Sequence, residues 1–367
     1  MLHRDRGELY LVTGYPRFLV RGLVREILEK DPAGVIALLV QEKHEREARI
    51  FTKRVGAVRR IRVVTGDVAN MHLGLSTEEY RVLAKNVTTI FHAASITYPG
   101  VVRAEATRVN VEGTRNVLEF AADSSRIKRF NHFSSAFVSG ERTGAVLESE
   151  LDRGQGFTSP IYKSIFLAER EVRRAKWLSP SILRSSIIVG DSRTGETDKL
   201  DVFYAFLEMI ADPSFYIPLP APSGGGAPFN VVPVDYVTKA AVEISSKADA
   251  AGKTFHLVDP KPPSVRIALE KIASRVGKPG LPIISVQPIF VRLLSKTRYI
   301  RKRHPLYMNA LEILGRNTIY DNRNTTEALE GTGISCPPFE TYMGKIVDYV
   351  KTRINWERER DVKDALA

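Results

Sequence analysis

Cysteine is almost absent from this chain, because Cys336 is the single one among 367 residues. One thiol excludes an internal disulfide framework and is typical of a protein kept in a reducing compartment. No stretch approaches the roughly 18–20 consecutive apolar residues that a membrane-spanning helix needs. The N-terminal residues also lack the long apolar core of a secretory signal. We therefore expect a cytoplasmic protein, either free or peripheral at a membrane.

Metal-ligand patterns are lacking as well. The seven histidines and the cysteine show no spacing that would bring several ligands to one ion. His92 and His132 lie in apolar segments that predict strands, where packing inside a sheet explains them better than a role as general base. We expect no metal site.

Acidic residues are fewer than basic ones, and the formal net charge is +12. Such a charge indicates either a solvated basic surface or an anionic partner. The segment 292–304 places cations among apolar residues, which suits either a solvated helix or an anionic membrane surface. No recognition motif favours nucleic acid, which we do not expect as a partner.

Short apolar segments alternate with helix-like segments through the first 250 residues. The predicted strands are LYLVTG, VIALLV, RIRVVTGDV, TTIFHAAS, RFNHFSSAFVSG, SILRSSIIVG and FHLVDP. Uninterrupted apolar strands between helices predict a parallel sheet covered on both faces. The fold class is therefore α/β, a Rossmann-type doubly wound parallel sheet with a smaller, mostly helical C-terminal substrate-side region.

The first strand leads into VTGYPRFLV and then into an amphipathic helix. A strand, a tight turn that opens on Gly14, and a helix form the layout of a dinucleotide-binding turn. The second glycine, which lets the backbone approach the pyrophosphate, is replaced by Arg17. The third, which permits close helix–strand packing, is replaced by Val20, so we expect the helix to be displaced from the strand.

Seven ordered segments within residues 8–260 resemble the extended short-chain dehydrogenase/reductases, in the branch of thioester and fatty acyl-CoA reductases with a male sterility NAD-binding domain. They are VTGYPRFLV, GDVANMHLGLS, IFHAAS, VNVEGTRNVLEFA, HFSSAFVSG, LRSSIIVGDSRTGETDKLD and NVVPVDYV. The resemblance implies a Rossmann-type NAD(P)-binding-like domain over residues 1–260, with substrate-side insertions at about 191–230. Residues 261–367 then form the C-terminal, mostly helical, basic region.

The resemblance also implies a catalytic tyrosine and, four residues later, a lysine. Aligning FTSPIYKSIFLAE on its Ala168–Glu169 pair places Ile161 at the tyrosine position and Ile165 at the lysine position. Adjacent helical residues point about 100° apart, so we expect Tyr162 to face away from the site, although a local bulge would restore it as the acid. Ser135 matches the catalytic Ser/Thr. The candidate catalytic residues are therefore Ser135 and Tyr162.

The cofactor implied by the resemblance is NADP or NAD. Arg17, Val20 and Gln41 oppose it, the last because NADPH-dependent members carry arginine there for the 2′-phosphate; Lys43 is a weak substitute. The candidate cofactor-binding residues are Gly14, Arg17, Phe18, Leu19, Gln41, Asp67, Val68, Ala93, Ala94 and Asn110.

Five departures occur together while the core segments stay intact. We interpret the chain as a relative of the reductases that has lost hydride transfer and acts as a binding or scaffold protein, with a small-molecule or acyl-type ligand or a protein partner. One alternative is an atypical NADP-dependent oxidoreductase that reduces an acyl thioester or related carbonyl. Another is a lipid-pathway protein associated with a membrane surface.

Overall fold

The computed structural model describes residues 7–98, 100–197, 202–211, 218–222, 226–287 and 317–366. Within these residues, seven parallel strands form the central sheet: β1 (Leu9–Thr13), β2 (Val35–Val40), β3 (Ile61–Thr65), β4 (Thr89–His92), β5 (Arg129–Ser135), β7 (Ser181–Ser185) and β11 (Thr254–Leu257). Their order across the sheet is β11-β7-β5-β4-β1-β2-β3. The strand order reverses between β1 and β4, which confirms the predicted Rossmann-type fold.

Helices cover both faces of this sheet. The helices are α1 (Phe18–Lys30), α2 (Glu45–Arg54), α3 (Thr77–Asn86), α4 (Arg103–Thr107), α5 (Gly113–Asp123), α6 (Pro160–Arg174), α7 (Val202–Ala211), α8 (Val234–Ser246), α9 (Val265–Val276), α10 (Arg323–Leu329) and α11 (Phe339–Leu366). A π-helical turn over Arg108–Glu112 joins α4 to α5. One apolar core lies under α1, α2 and α8, and another under α3, α5 and α6.

The remaining strands form three small parallel pairs beside the main sheet. They are β6 (Gly144–Val146) with β13 (Thr318–Tyr320), β8 (Ile187–Val189) with β10 (Val231–Pro233), and β9 (Leu219–Pro222) with β12 (Ile283–Val286). A third apolar core joins α7, α9 and the first part of α11. This core supplies Phe203 and Phe229 to the lining of the cleft described below.

Two features differ from the sequence expectations. The segment SILRSSIIVG is not one strand, because it divides at Ser186 into β7 of the main sheet and β8 of a side pair. Chain after residue 260 also returns to the main sheet, since Ala328 and Leu329 of α10 pack into the core under α1 and α8. The division at residue 260 stays a prediction, and the basic segment 292–304 lies outside the described residues.

Candidate functional site

A cleft of about 650 Å³ opens at the carboxyl ends of the strands, where the strand order reverses. In open α/β sheets, ligands bind at this switch point. Gly14 after β1, Ala94 after β4 and Ser135 at the end of β5 contribute to its wall. Aromatic side chains line it too: Tyr15, Phe18, Tyr98, Phe133, Phe137, Tyr162, Phe203 and Phe229.

The glycine turn retains its first glycine for a steric reason. Gly14 has a φ of +98°, and a Cβ there would lie 2.6 Å from the backbone of Ala93. Val20 is fully buried in the core that α1 shares with α8, and the expected displacement of α1 from the strand stays a prediction. Close helix packing occurs instead at Gly22, where a Cβ would lie 3.0 Å from Thr238.

Arg17 spans the gap between the turn and the loop after β4. Its Nη1 donates to the carbonyl oxygen of Ala93 at 3.0 Å and to Oγ of Ser95 at 2.8 Å. The guanidinium therefore lies between the carboxyl ends of β1 and β4, where this fold places a pyrophosphate. The backbone of α1 still begins at this point, with Phe18 and Leu19 on the cleft wall. Arg17 also lines the cleft at this point.

The opposite end of the cleft, where the resemblance places adenine, is lined by a side-chain pair. Nε2 of Gln41 donates to Oδ2 of Asp67 at 2.8 Å. The Asp67 backbone N–H also donates to the carbonyl oxygen of Leu73, at 2.8 Å. Leu73 has a φ of +58°, a left-handed conformation that side chains rarely adopt. Gln41, which stands where the resemblance implies an arginine for a 2′-phosphate, is thus hydrogen-bonded to Asp67.

Helix α6 forms the wall where the catalytic pair is expected. Tyr162 and Ile165 line the cleft, whereas Ile161 packs into the small core around Val138. The expectation that Tyr162 faces away is therefore wrong. The helix begins at Pro160, so Tyr162 lies in its first turn, and its ring packs against that of Phe137 with a centroid distance of 5.0 Å and a tilt of 41°. Ile165 presents an apolar side chain where the resemblance implies lysine.

Ser135 lies on the same wall, at the end of β5. Its Oγ accepts a hydrogen bond from the backbone N–H of Phe137 at 3.2 Å, which fixes the start of the turn after the strand. Ser186, at the junction of β7 and β8, also lines the cleft. The Ser186 Oγ is buried and has no hydrogen-bond partner among the described residues. The sequence does not single out Ser186, because nothing local distinguishes it from its neighbour Ser185.

Two predicted cofactor residues lie behind the wall. Ala93 is not part of the cleft surface, and its carbonyl oxygen accepts from Arg17. Asn110 is buried, and its Oδ1 accepts from the backbone N–H of Ile96 at 2.7 Å while its Nδ2 donates to Ser164 Oγ at 2.8 Å. Asn110 therefore ties the loop after β4 to α6. The other predicted residues line the cleft: Gly14, Arg17, Phe18, Leu19, Gln41, Asp67, Val68, Ala94, Ser135 and Tyr162.

A buried ion pair lies further along α6, about two turns beyond Tyr162 and on the same side of the helix. Glu169 and Arg184 are both fully buried, and Arg184 Nη2 lies 2.7 Å from Glu169 Oε1. Burial raises the pKa of the Glu169 carboxyl, but the neighbouring Arg184 charge outweighs it and lowers that pKa to about 2. Ser134 Oγ donates to the same carboxylate at 2.6 Å. The sequence predicts neither partner, because they are brought together from different elements.

Buried histidines complete this interior. Nδ1 of His92 lies 2.9 Å from Thr13 Oγ1, and burial keeps its pKa well below the ordinary value. Burial also lowers the pKa of His132 to about 4. For His256, burial and then the Arg184 charge lower the pKa to about 4. These rings are neutral parts of the sheet interior, which agrees with the interpretation of His92 and His132 as packing residues.

Two other kinds of site have no candidate in the described part of the chain. Within the described ranges, His, Cys, Asp and Glu side chains form no group of three or more that would hold a metal ion. No helix in the part of the chain that the structure describes has the length and hydropathy to cross a membrane.

The fold and this cleft define a Rossmann-type protein of the short-chain dehydrogenase/reductase kind. The family profile described as "Male sterility protein", an NAD-binding family, matches residues 12–241. The chain belongs to this family.

Two curated relatives show its range. The chain is 25% identical over 365 residues to a linear gramicidin synthase of Brevibacillus parabrevis, with 92% of this chain and 7% of that protein covered. It is 26% identical over 170 residues to the chloroplastic fatty acyl-CoA reductase 2 of Arabidopsis thaliana, with 41% and 28% covered. The chain thus spans well under half the length of these relatives.

Solved structures agree on the fold. The terminal R domain of the myxalamid PKS-NRPS pathway superposes with a TM-score of 0.80 at 24% identity, with 96% of this chain and 92% of that chain covered. A UDP-glucuronic acid 4-epimerase from Bacillus cereus in complex with NAD gives a TM-score of 0.66 at 17% identity, with coverages of 94% and 96%.

Proposed function

We propose that this protein is a non-catalytic member of its family, which uses the retained cleft to bind a ligand and does not transfer hydride. The observation that carries the proposal is Ile165, which lines the cleft where the resemblance implies lysine. A phenol has a pKa near 10 and is a poor proton donor at neutral pH unless a neighbour lowers that pKa. Ile165 supplies no charge that would lower the pKa of Tyr162.

The nucleotide end of the cleft supports the same proposal. The Arg17 side chain crosses the pyrophosphate position, and Gln41 is held by Asp67. Loss of a general acid alone reduces a rate by about 10²–10⁴-fold. With the lysine absent and the phosphate position crossed by a side chain, we expect no measurable hydride transfer.

A ligand is nevertheless expected, because the cleft is still open and one hydroxyl on its wall lacks a partner among the described residues. Its walls combine aromatic rings with charged and hydroxyl side chains, so a ligand would find both apolar and polar contacts there. A buried hydroxyl without a partner costs free energy unless a ligand or water completes it. We propose an acyl-type or other small ligand that offers a hydrogen-bond acceptor or donor to Ser186.

The first experiment is calorimetric titration with NADPH, NADH and a medium-chain acyl-CoA. We expect heat with the acyl-CoA and none with either nicotinamide cofactor at millimolar concentration. The matched variants are Arg17→Ala, which clears the pyrophosphate position, and Arg21→Ala, which removes the same charge one helical turn later. NADPH binding that appears in Arg17→Ala and not in Arg21→Ala would identify Arg17 as the block.

Measurable hydride transfer would contradict the proposal. Oxidation of NADPH by the unmodified protein with an acyl thioester, at a rate above that of buffer, contradicts a non-catalytic role. Such turnover would have to disappear in Ser135→Ala to belong to this cleft.

A second candidate, an atypical NADP-dependent reductase, is favoured by one observation. Tyr162 and Ser135 line the same cleft, so a proton donor and a carbonyl partner are both present. If this candidate is correct, Tyr162→Phe abolishes turnover and leaves NADPH affinity unchanged.

Association of the segment 292–304 with a membrane stays a prediction, as does a protein partner. Charge reversal at Arg301, Lys302 and Arg303 that left vesicle binding unchanged would remove the role of that segment.

A further inference from the structure

The outer face of α2 and the turn after it form an exposed basic surface that the cleft does not use. Residues 45–60 contain six Lys/Arg against two Glu. Arg46, Arg49, Ile50 and Lys53 recur at helical spacing, so they share one face of α2, and all four are exposed. The opposite face is buried through Ala48, Phe51 and Thr52.

Most of this positive charge is not neutralised. The carboxylate of Glu45 pairs with Arg49, and that of Glu47 pairs with Arg21 on α1. The cations without a hydrogen-bond or ion-pair partner among the described residues are Arg46, Lys53, Arg54 and Arg59. The surface therefore presents a cluster of solvated cations to whatever approaches it.

Two apolar side chains are exposed among these cations. Ile50 on α2 is 43% exposed, and Val58 in the turn is 57% exposed. Val58 also borders a concavity of about 700 Å³ between α1 and the turn, which Arg25 and Arg59 line. The Arg25 guanidinium carbon lies 5.7 Å from the centre of the Phe51 ring, which holds this arginine in place.

We propose that this surface, defined as Arg46, Arg49, Ile50, Lys53, Arg54, Val58 and Arg59 and here termed the α2 surface, binds the anionic surface of a phospholipid bilayer. Cations attract anionic headgroups, and exposed apolar side chains among them insert at the boundary with the acyl chains. The proposal does not depend on whether the cleft binds a ligand or a cofactor.

Other anionic partners fit the α2 surface less well. Single-stranded nucleic acid is bound through exposed aromatic rings that stack on bases, and the aromatic residue of this segment, Phe51, is buried. An acidic protein segment would be held by a groove with apolar pockets, whereas Ile50 is exposed on the outer face of a helix. The bilayer is the partner that uses both the cations and the exposed Ile50 and Val58.

The α2 surface adjoins the cleft. Gln41, Lys43 and His44 line the cleft, and α2 begins at the next residue, Glu45. Docking through α2 therefore places one end of the cleft beside the bilayer, where an acyl-type ligand would be concentrated.

The test is co-sedimentation of the full chain with vesicles of phosphatidylcholine alone and of phosphatidylcholine mixed with phosphatidylserine. We expect binding only to the anionic vesicles, and weaker binding at high salt. Replacement of Arg46, Lys53 and Arg59 by Gln should weaken the partition coefficient about 100-fold, since each cation near such a surface contributes about fivefold.

A matched control removes the same charge elsewhere. Lys85, Arg126 and Lys176 are exposed cations outside the α2 surface, and their joint replacement by Gln should leave partitioning nearly unchanged. Ile50→Asn with Val58→Asn keeps the charge and should still weaken binding severalfold, which a purely ionic attraction would not show.

Three results overturn the proposal. The first is an unmodified chain that ignores the anionic vesicles. The second is vesicle binding that survives in the Arg46, Lys53 and Arg59 variant and disappears on charge reversal at residues 301–303. The third is equal weakening by the control set. Binding to a polyanion such as heparin without binding to vesicles would likewise assign the α2 surface to another partner.

Discussion

Two groups of side chains on helix α6, the buried network and the cleft wall, differ in what they retain. The buried network is satisfied, because Glu169 meets Arg184 and Ser134, and Ser164 meets Asn110. The cleft wall carries Tyr162 and Ile165, without the lysine that the resemblance implies. The interactions that hold the helix in place therefore do not depend on the residues at which the resemblance implies proton transfer.

The largest expected effect comes from acidification, through the histidines of the buried interior. The pKa values of His132 and His256 lie at about 4 in the folded protein, against an ordinary 6.5. Between these values the unfolded chain binds protons that the folded chain does not, so stability falls as the pH falls from 6.5 to 4. Each histidine contributes about 3 kcal/mol to this loss.

Urea unfolding at neutral pH and near pH 4 measures that loss. His256→Gln should flatten the dependence, and His72→Gln, an exposed histidine, should leave it unchanged. Glu169 acts in a lower window: its lowered pKa stabilises the fold fully above about 4.5, and this stabilisation is lost as the pH falls toward 2. Equal stability at neutral pH and near pH 4 would show that folding does not lower the pKa values of the interior histidines.

The next largest effect is expected in the buried network of α6. Glu169→Gln leaves the Arg184 guanidinium buried without its charge partner, which should reduce the free energy of unfolding by about 3–5 kcal/mol. Glu171→Gln is the control on the same helix, because Glu171 pairs with Arg115 and Arg174 near the surface. Such pairs contribute at most about 1 kcal/mol. Urea unfolding of both variants at neutral pH makes the comparison.

The double variant Glu169→Gln with Arg184→Met separates charge from packing. It should recover part of the lost stability, since no charge is then buried alone. If the losses in free energy of unfolding of the two single variants simply add in the double variant, the network stabilises the fold through packing and not through its charges.

The smallest effect is expected at the cleft wall. Tyr162→Phe removes a hydroxyl from a partly exposed residue and should change the free energy of unfolding by no more than about 0.5 kcal/mol. Thermal denaturation with and without acyl-CoA checks this, and Phe137→Leu, which removes the neighbouring ring, serves as the comparison. A loss of several kcal/mol in Tyr162→Phe would make the cleft wall a structural element and remove the contrast with the buried network.

Different parts of the site could be predicted from the sequence to different degrees. Gly14 and Asp67 come just after strands, and Ser135 is the last residue of one. Because parallel strands end at one edge of the sheet, the sequence predicts their place on the cleft wall. Ala93 and Asn110 are predicted beside the cofactor and lie behind the wall instead. Their positions depend on how the loop after β4 folds back, which no local pattern encodes.

The orientation of Tyr162 has the same explanation. Helical spacing counted from Ile161 predicts that Tyr162 faces away, but spacing alone does not say which residues of the first turn face the cleft. The start of α6 at Pro160 and the ring of Phe137 decide that Tyr162 lines it.

The sequence by itself determined the layered α/β architecture, because its local hydrophobic periodicity indicates both the apolar strands and the amphipathic helices. It also determined that isoleucine stands at residue 165 of α6, where the alignment on Ala168 and Glu169 implies lysine. Only the tertiary structure decided that Arg17 crosses to Ala93 and Ser95, and that Glu169 meets Arg184 under the cleft. These contacts join residues that are distant in the chain, and they exist only once the sheet has brought the strand ends together.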